Sequence, residues 1–179
     1  KSVFSGMVRF SFDILLGIPS IVYGAFGFAL MIYLGMRASL IGGIITVSML
    51  ITPIMMRSFD EVAKLLSHDL PDSLLSLGAT RYEMIKVIMR QLMPAFITAA
   101  LLAVGRGIGD AATVLLTAGY TDNIPGSLSQ PVATLPLSIF FQLGSPVAEV
   151  QNRAYASALI LTVVILILSF TARYFSSKF

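Results

Sequence analysis

Residues 57–94 read RSFDEVAKLLSHDLPDSLLSLGATRYEMIKVIMRQLMP and form a charged block between two strongly apolar segments. The block contains ten of the 21 charged side chains of the chain. They are Arg57, Asp60, Glu61, Lys64, Asp69, Asp72, Arg81, Glu83, Lys86 and Arg90. A long charged loop between two apolar spans is typical of a surface that docks a partner. We therefore take residues 58–94 as a docking loop inside a single domain that covers residues 1–179.

The local chemistry of this loop predicts two helices joined by a tight turn. Pro71 suits the first turn of a helix, and the carboxylate of Asp72 suits the positive end of a helix dipole. A short helix is expected over residues 71–77. Gly78 can then adopt the left-handed conformation that ends such a helix, and residues 80–83 (TRYE) are a capping box that begins the next one.

Leucines give the short helix an apolar surface. The four side chains are Leu70, Leu74, Leu75 and Leu77. An apolar surface of this kind has to pack against another surface. Either it docks a partner or it folds back on its own chain, and the pattern alone does not choose between the two.

The composition places the rest of the chain in a membrane. Of its 179 residues, 56% are hydrophobic and only 12% charged, and the mean hydropathy is +0.89. Soluble domains carry about a quarter charged residues. The net charge of +3 comes from basic residues that flank apolar spans, so it does not indicate nucleic-acid binding. A chain with no cysteine and one histidine, His68, offers neither thiol chemistry nor a multi-histidine metal site.

The hydropathy pattern predicts an all-α protein with about four transmembrane helices. The expected spans are residues 14–36, 38–56, about 92–119, and 154–172. Pro19 with Gly17 and Gly24 predicts a kink or a close helix contact in the first span, and Pro53 predicts a bend in the second. Ser58 and Glu61 could begin a separate helix over residues 59–67, unless the second span simply continues. A further short helix is expected within residues 134–143.

The distribution of lysine and arginine predicts the orientation. Nine of them lie on the side that holds the docking loop and both ends, namely Lys1, Arg9, Arg57, Lys64, Arg81, Lys86, Arg90, Arg173 and Lys178. The other side holds Arg37 and Arg153. By the positive-inside rule, the docking loop and both ends are cytoplasmic. Residues 1–13, which are weakly amphipathic, could lie at the membrane surface or finish an earlier cytoplasmic segment.

Arg106 and Asp110 are charged residues inside the third predicted span. They are four positions apart, which would place them on one helix face. Charges at this depth are costly and usually serve a function. They could be a structural ion pair, or Arg106 could bind an oxyanion in a translocation path while Asp110 orients it. Gly105 and Gly109 form a small-residue pair that predicts close helix packing.

The docking loop resembles the "EAA" loop of ABC importer permeases. In that loop an acidic residue and small residues precede a fixed glycine. Asp72 stands for the usual glutamate, Ser73 and Leu74 replace two alanines, and residues 78–81 (GATR) match well. The resemblance implies a polytopic, MetI-like permease fold in which this loop contacts an ATPase. The residues expected to couple to it are Pro71, Asp72, Ser73, Leu74, Leu77, Gly78, Ala79, Thr80 and Arg81.

Two further strings, GIPSIVYG and RGIGDAATVLL, resemble segments of phosphate permeases. The C-terminal strings PVATLPLSIF and AYASALILTVVILILSFTAR are closer to the A subunit of such systems than to the C subunit. This resemblance implies inorganic phosphate as the solute, Arg106 and Asp110 near its path, and a location in the bacterial inner membrane. It also implies that further membrane helices precede Lys1.

The same resemblance implies a set of partners. They are a second permease subunit, two ATPase subunits, a periplasmic phosphate-binding protein and membrane lipid. No GxxxxGK[ST] motif occurs, so we expect no enzyme activity and no cofactor or metal in this chain, with ATP bound by the partner. The alternatives are a sulfate or molybdate permease, a membrane scaffold that transports nothing, and a secondary transporter.

Overall fold

The structure is a computed structural model that describes residues 3–64, 66 and 69–178. Within these ranges the chain forms seven α-helices and no strand, so the predicted all-α class is confirmed. The helices are α1 (Val3–Gly17), α2 (Ser20–Tyr33), α3 (Leu40–Lys64), α4 (Asp69–Ser76), α5 (Arg81–Ile108), α6 (Leu135–Leu143) and α7 (Ala148–Lys178). His68 lies outside the described residues.

The chain has the predicted number of membrane-length helices. Among the described residues α3, α5 and α7 are long and apolar enough to cross a membrane, and the bent pair α1 and α2 would make a fourth span. The fourth predicted span, residues 154–172, lies inside α7. The predicted short helix is α6, and the Thr134 hydroxyl caps it by accepting a hydrogen bond from the backbone N–H of Leu137 at 3.4 Å.

The first predicted span, residues 14–36, is divided by a corner. The two helices α1 and α2 meet at 100°, and residues 14–17 belong to α1. Pro19 has no N–H for the helix ladder and takes an extended conformation with ψ of 141°, so the predicted kink is a complete break. The Tyr23 hydroxyl fixes the corner by donating to the Leu15 carbonyl at 2.8 Å. The segment predicted to lie at the surface is thus a helix that runs crosswise to α2.

The second predicted span continues through the charged residues that follow it. Ser58 does not cap a new helix, because its hydroxyl donates to the Ile54 carbonyl at 2.9 Å in the same helix. The end of α3 is tied to α1 by two ion pairs, Arg9 to Asp60 at 2.8 Å and Arg57 to Asp13 at 2.7 Å. The beginning of the described chain therefore lies beside the end of α3 that leads to α4.

The third predicted span, about residues 92–119, is wrong at its C-terminal end. The helix begins at Arg81, where the capping box predicts it, and ends at Ile108 instead of near Gly119. It stops because the carboxylate of Asp110 accepts a hydrogen bond from the backbone N–H of Thr113 at 2.8 Å, which turns the chain away from the helix axis. Residues 109–119 then form a series of turns instead of helix.

This irregular segment is buried against the small-residue faces of α2 and α3. A Cβ placed on Gly24 would lie 2.8 Å from the carbonyl oxygen of Ala112, and one on Gly43 would lie 3.0 Å from the Cβ of Ala118. The Thr117 carbonyl accepts a hydrogen bond from the backbone N–H of Ser39 at 2.9 Å. Irregular backbone at membrane depth is tolerated where protein surrounds it and satisfies its polar groups. The glycines of α2 and α3 make that enclosure possible.

The level of α5 against α7 indicates how deep the irregular segment lies. The Thr98 hydroxyl donates to the Pro94 carbonyl of its own helix at 3.0 Å and lies 3.4 Å from the carbonyl of Ala172, at the end of the apolar run of α7. From Thr98 to Ile108 the helix rises at most about 15 Å, which is about half of a bilayer core. The turns of residues 109–119 follow α5 beyond this level.

Candidate functional site

The first part of the candidate site is α4 with the turn that follows it. The observed helix, Asp69–Ser76, begins two residues earlier and ends one residue earlier than the predicted helix over residues 71–77. Gly78 has a φ of 83°, as predicted for a helix end in the left-handed conformation. The backbone N–H of Ala79 donates to the Leu74 carbonyl at 3.1 Å, and that of Gly78 donates to the Leu75 carbonyl at 3.0 Å. This pair of bonds is a Schellman motif, so the end of α4 is closed by its own backbone.

The second helix of the loop begins with the predicted capping box. The backbone N–H of Glu83 donates to the Thr80 hydroxyl oxygen at 3.3 Å. In return, the backbone N–H and the hydroxyl of Thr80 both donate to Oε2 of Glu83 at 2.8 Å. The turn between α4 and α5 therefore has satisfied hydrogen bonds on both sides, which makes it a stiff joint.

The leucines of α4 differ in how far the rest of the chain covers them. Leu70 and Leu74 are half-buried, whereas Leu75 is exposed and Leu77 is 84% exposed. Tyr82, in the first turn of α5, adds a large exposed ring to the same joint. Leu70 and Leu74 therefore fit the alternative in which the leucines pack on their own chain. Leu75 and Leu77 remain exposed to a partner.

The other predicted coupling residues surround this joint. Pro71 lies in the first turn of α4, with Asp72 and Ser73 after it, while Ala79 and Arg81 flank Thr80. Asp72, Ser73 and Arg81 are exposed, and Pro71 and Ala79 are half-buried. All nine predicted coupling residues thus lie on one continuous piece of surface between α4 and the start of α5.

The second part of the candidate site, Arg106 with Asp110, differs from the prediction. The expectation that they share one helix face is wrong, because Asp110 follows the last residue of α5 and the C-cap Gly109. They form no ion pair with each other, and within the described ranges neither takes part in any salt bridge. The carboxylate of Asp110 instead closes the turn to Thr113.

The two charged residues line different cavities. Arg106 lines a cavity of about 190 Å³ at the corner of α1 and α2, together with Tyr23 and Pro53. Asp110 lines a cavity of about 410 Å³ between α3, α5 and α6, together with Ser48 and Thr134. The Arg106 cavity has the more polar wall of the two, and that guanidinium suits an anion.

The predicted role of Gly105 and Gly109 in helix packing is not what the structure shows. A Cβ on Gly105 would meet nothing within 4 Å, and one on Gly109 would make only an ordinary contact of 3.5 Å with Ile165. The close approach is at Gly107, where an added Cβ would collide with the side chain of Ile51 on α3. The glycine-rich string therefore does pack α5 against α3, but through Gly107, which lies two residues after the predicted Gly105.

Sequence reasoning missed a set of buried threonines in the core. Thr46, Thr113 and Thr117 are almost fully buried. Each hydroxyl finds a carbonyl within the core, as Thr46 does at 2.7 Å to Gly42. A signal for their burial was present in the sequence, because Thr113 and Thr117 are four residues apart inside the RGIGDAATVLLT string. In the structure this string lies opposite the Gly42-Gly43 pair. No cluster of metal-ligating side chains occurs among the described residues.

Comparison with known proteins matches the whole chain. The family described as "Binding-protein-dependent transport system inner membrane component" matches residues 1–179. The phosphate transport system permease protein PstA of Yersinia pestis is 34% identical over 179 residues, covering 99% of this chain and 61% of the relative. The protein of the same name from Xylella fastidiosa (strain 9a5c) is 36% identical over 171 residues, covering 94% of this chain and 60% of the relative.

A differently named relative matches over the same region. The probable ABC transporter permease protein YqgI of Bacillus subtilis is 28% identical over 183 residues, covering 93% of this chain and 62% of the relative. No solved structure gave a significant match. The chain spans about three fifths of the length of these relatives. With the family match over every residue, the chain belongs to the binding-protein-dependent transport system inner membrane components.

Proposed function

We propose that this chain is the permease part of an ATP-driven importer that moves inorganic phosphate across the cytoplasmic membrane. The observation that carries the proposal is a stiff, leucine-bearing joint, α4 with its turn, on a chain whose family moves solutes through the inner membrane. The solute is inferred from relatives named as phosphate transport permeases and from the GIPSIVYG and RGIGDAATVLL strings. Sulfate and molybdate are the competing solutes.

The proposed coupling runs from α4 into α5. An ATPase subunit would contact the exposed Leu75 and Leu77, and its closure on ATP would move α4. Because the turn at Gly78 is closed by hydrogen bonds on both sides, that movement passes to the start of α5. The helix runs for 28 residues with Pro94 inside it, where the missing N–H permits a bend, so a displacement at Arg81 would reach Arg106 along one helix.

We propose that Arg106 meets the oxyanion in the translocation path. The guanidinium is permanently charged and presents a fork of donors that matches a phosphate. It forms no hydrogen bond or ion pair with the residues that the structure describes, so it is available to a ligand. Asp110 would act indirectly, by holding the turn that ends α5 and begins the buried segment of residues 109–119.

The proposed orientation places α4 and both ends of the chain in the cytoplasm. The positive-inside count gives this result from sequence. The two ion pairs between α1 and α3 support it, since they keep the beginning of the chain on the side of α3 that leads to α4. The inner membrane of a bacterium is the proposed location.

The partners we propose are two ATPase subunits, a second permease subunit and an extracytoplasmic phosphate-binding protein. ATP would be bound only by the ATPase. Large apolar faces of α5 and α7 are exposed in the single chain, where 11% and 6% of the most apolar stretch is buried. Lipid and the second permease subunit would cover these faces.

The experiment is a pull-down of the tagged full-length protein from gently solubilised native membranes, with mass spectrometry of the recovered partners. We expect a nucleotide-binding subunit to be recovered, and Gly78→Val to lose it because valine is strained at a φ of 83°. Gly6→Val is the matched control, since an added Cβ there meets nothing within 4 Å and the backbone is helical. Absence of any ATPase, under conditions that keep a known importer whole, would overturn the proposal.

A further inference from the structure

A groove of about 450 Å³ lies between α5 and α7, near the end of the bundle that leads to α4. Its walls are Thr98 and Leu102 on α5 and Leu166, Ser169, Phe170 and Arg173 on α7. Neither the candidate coupling surface nor the Arg106 cavity uses any of these residues. The groove is therefore a separate feature of the molecule.

The lining is arranged by depth. Leu102 and Leu166 lie toward the middle of the spans, while Thr98, Ser169 and Arg173 lie toward the end where the uncharged run of α7, residues 154–172, finishes. The Thr98 hydroxyl lies 3.4 Å from the Ala172 carbonyl, so the two walls are in contact at this level. The groove thus has an apolar end within the bilayer core and a cationic end at its boundary.

Among the residues that the structure describes, none supplies a counter-charge to the cation at that boundary. Arg173 is exposed, and it forms no salt bridge with any residue of the described ranges. Tyr174 follows it with 56% of its surface exposed, and tyrosine is enriched where a membrane helix meets the headgroup layer. An anion at the depth of the lipid phosphates would satisfy Arg173, whereas a neutral headgroup would leave part of its charge uncompensated.

We propose that this groove binds one anionic phospholipid from the cytoplasmic leaflet. The acyl chain lies along Leu102, Leu166 and Phe170, and the headgroup phosphate accepts hydrogen bonds from Arg173. Basic pockets between membrane helices on the cytoplasmic side are a general site for such lipids.

A lipid fits the groove better than a protein partner does. The stretch of α7 that forms one wall has a mean hydropathy of 2.3, the highest of the three membrane-length helices, and 6% of it is buried. A subunit packed there would have to supply a carboxylate to Arg173 at the membrane boundary. A phospholipid brings both the apolar chain and the anion.

The test is native mass spectrometry of the full-length protein released from nanodiscs of phosphatidylcholine and phosphatidylglycerol. We expect one phosphatidylglycerol to be retained in preference to phosphatidylcholine. Arg173→Gln should lower that preference about fivefold, the effect of one basic residue near an anionic surface. Arg173→Lys should keep most of it. Lys86→Gln is the matched control, because it removes one exposed charge about 18 Å along α5 from Thr98.

A second variant tests whether the apolar part of the groove, and not only the charge of Arg173, retains the lipid. Leu102→Trp fills the apolar end without altering Arg173, and it should displace the retained lipid while the protein still assembles with its partners. Equal retention in wild type and Arg173→Gln, or an equal loss in Lys86→Gln, would contradict the proposal. If Leu102→Trp abolished subunit assembly and left lipid retention unchanged, the groove would belong to a protein interface instead.

Discussion

Arg106 carries a charge that no described residue neutralises, in the last turn of α5. Its neighbours in the 190 Å³ cavity include the Tyr23 hydroxyl, which is already committed to the Leu15 carbonyl. A permanent charge in this position is costly unless an anion or water reaches it. At the scale of single residues, it is therefore the side chain on which we base the proposed recognition of phosphate.

Replacing Arg106 with glutamine should remove that recognition without preventing assembly. A hydrogen bond to a charged group contributes about 1.5–3 kcal/mol, so we expect phosphate uptake to fall by about tenfold or more. Uptake of labelled phosphate by cells that contain the variant measures the effect. Arg153→Gln is the control, because Arg153 is exposed and pairs with Glu149 at 3.1 Å. Normal uptake with Arg106→Gln in an assembled complex would contradict a role of Arg106 in recognising phosphate.

Gly24 lets α2 lie directly against the backbone of residues 112–113 because it has no side chain. An added Cβ would lie 2.8 Å from the Ala112 carbonyl oxygen and 2.9 Å from that of Thr113, and both are backbone atoms that cannot step aside. We expect Gly24→Ala to destabilise the protein by about 1–3 kcal/mol through overpacking. Thermal unfolding in detergent should show a lower midpoint. Gly17→Ala, where nothing lies within 4 Å, should leave the midpoint close to that of the wild type.

At the scale of elements, the joint between α4 and α5 was predictable because its signals are local. Proline in a first turn, glycine after a helix and a TRYE capping box each act within four residues, and each appears in the structure as expected. The end of α5 was not predictable in this way. Residues 109–119 are apolar enough for a helix, and the turn that replaces it depends on a distant enclosure by α2 and α3.

The early end of α5 also explains why Arg106 and Asp110 do not share one helix face, as the sequence predicted. A spacing of four places two side chains on one face only while the helix lasts, and α5 ends between them. The corner at Pro19 was predicted as a kink because proline acts locally. Its angle of 100° depends on how α1 meets the end of α3 through the Arg9–Asp60 and Arg57–Asp13 pairs, which lie far apart in sequence.

The capping box at Thr80 gives a prediction for this joint. Thr80→Ala removes the acceptor for the Glu83 N–H and should cost the start of α5 about 1 kcal/mol. Hydrogen exchange of the backbone amides in the first turn of α5 should become faster by about fivefold, since 1.4 kcal/mol corresponds to tenfold. Stimulation of ATP hydrolysis by the permease should fall as the joint softens. Thr121→Ala, in an exposed loop away from the joint, is the control, and exchange that is unchanged in Thr80→Ala would contradict the stiff-joint account.

At the scale of the whole molecule, the chain is a set of membrane-length helices around one irregular core segment. The helix α5 runs from the joint with α4 to the level of Arg106, and residues 109–119 follow it, packed against glycines of α2 and α3. Discontinuous helices near the bilayer midplane are typical of transporter binding sites. The joint with α4 and the proposed path are thus connected by one helix, α5.

The most direct test of the central claim is phosphate uptake into vesicles that contain the full-length permease and its purified partner subunits. With ATP on the side of α4 and the phosphate-binding protein on the other, we expect labelled phosphate to accumulate and excess sulfate or molybdate not to compete. Uptake should stop when ATP is replaced by a non-hydrolysable analogue. Uptake that continues without ATP when a proton gradient is supplied, or that is absent with every component present, would contradict the account.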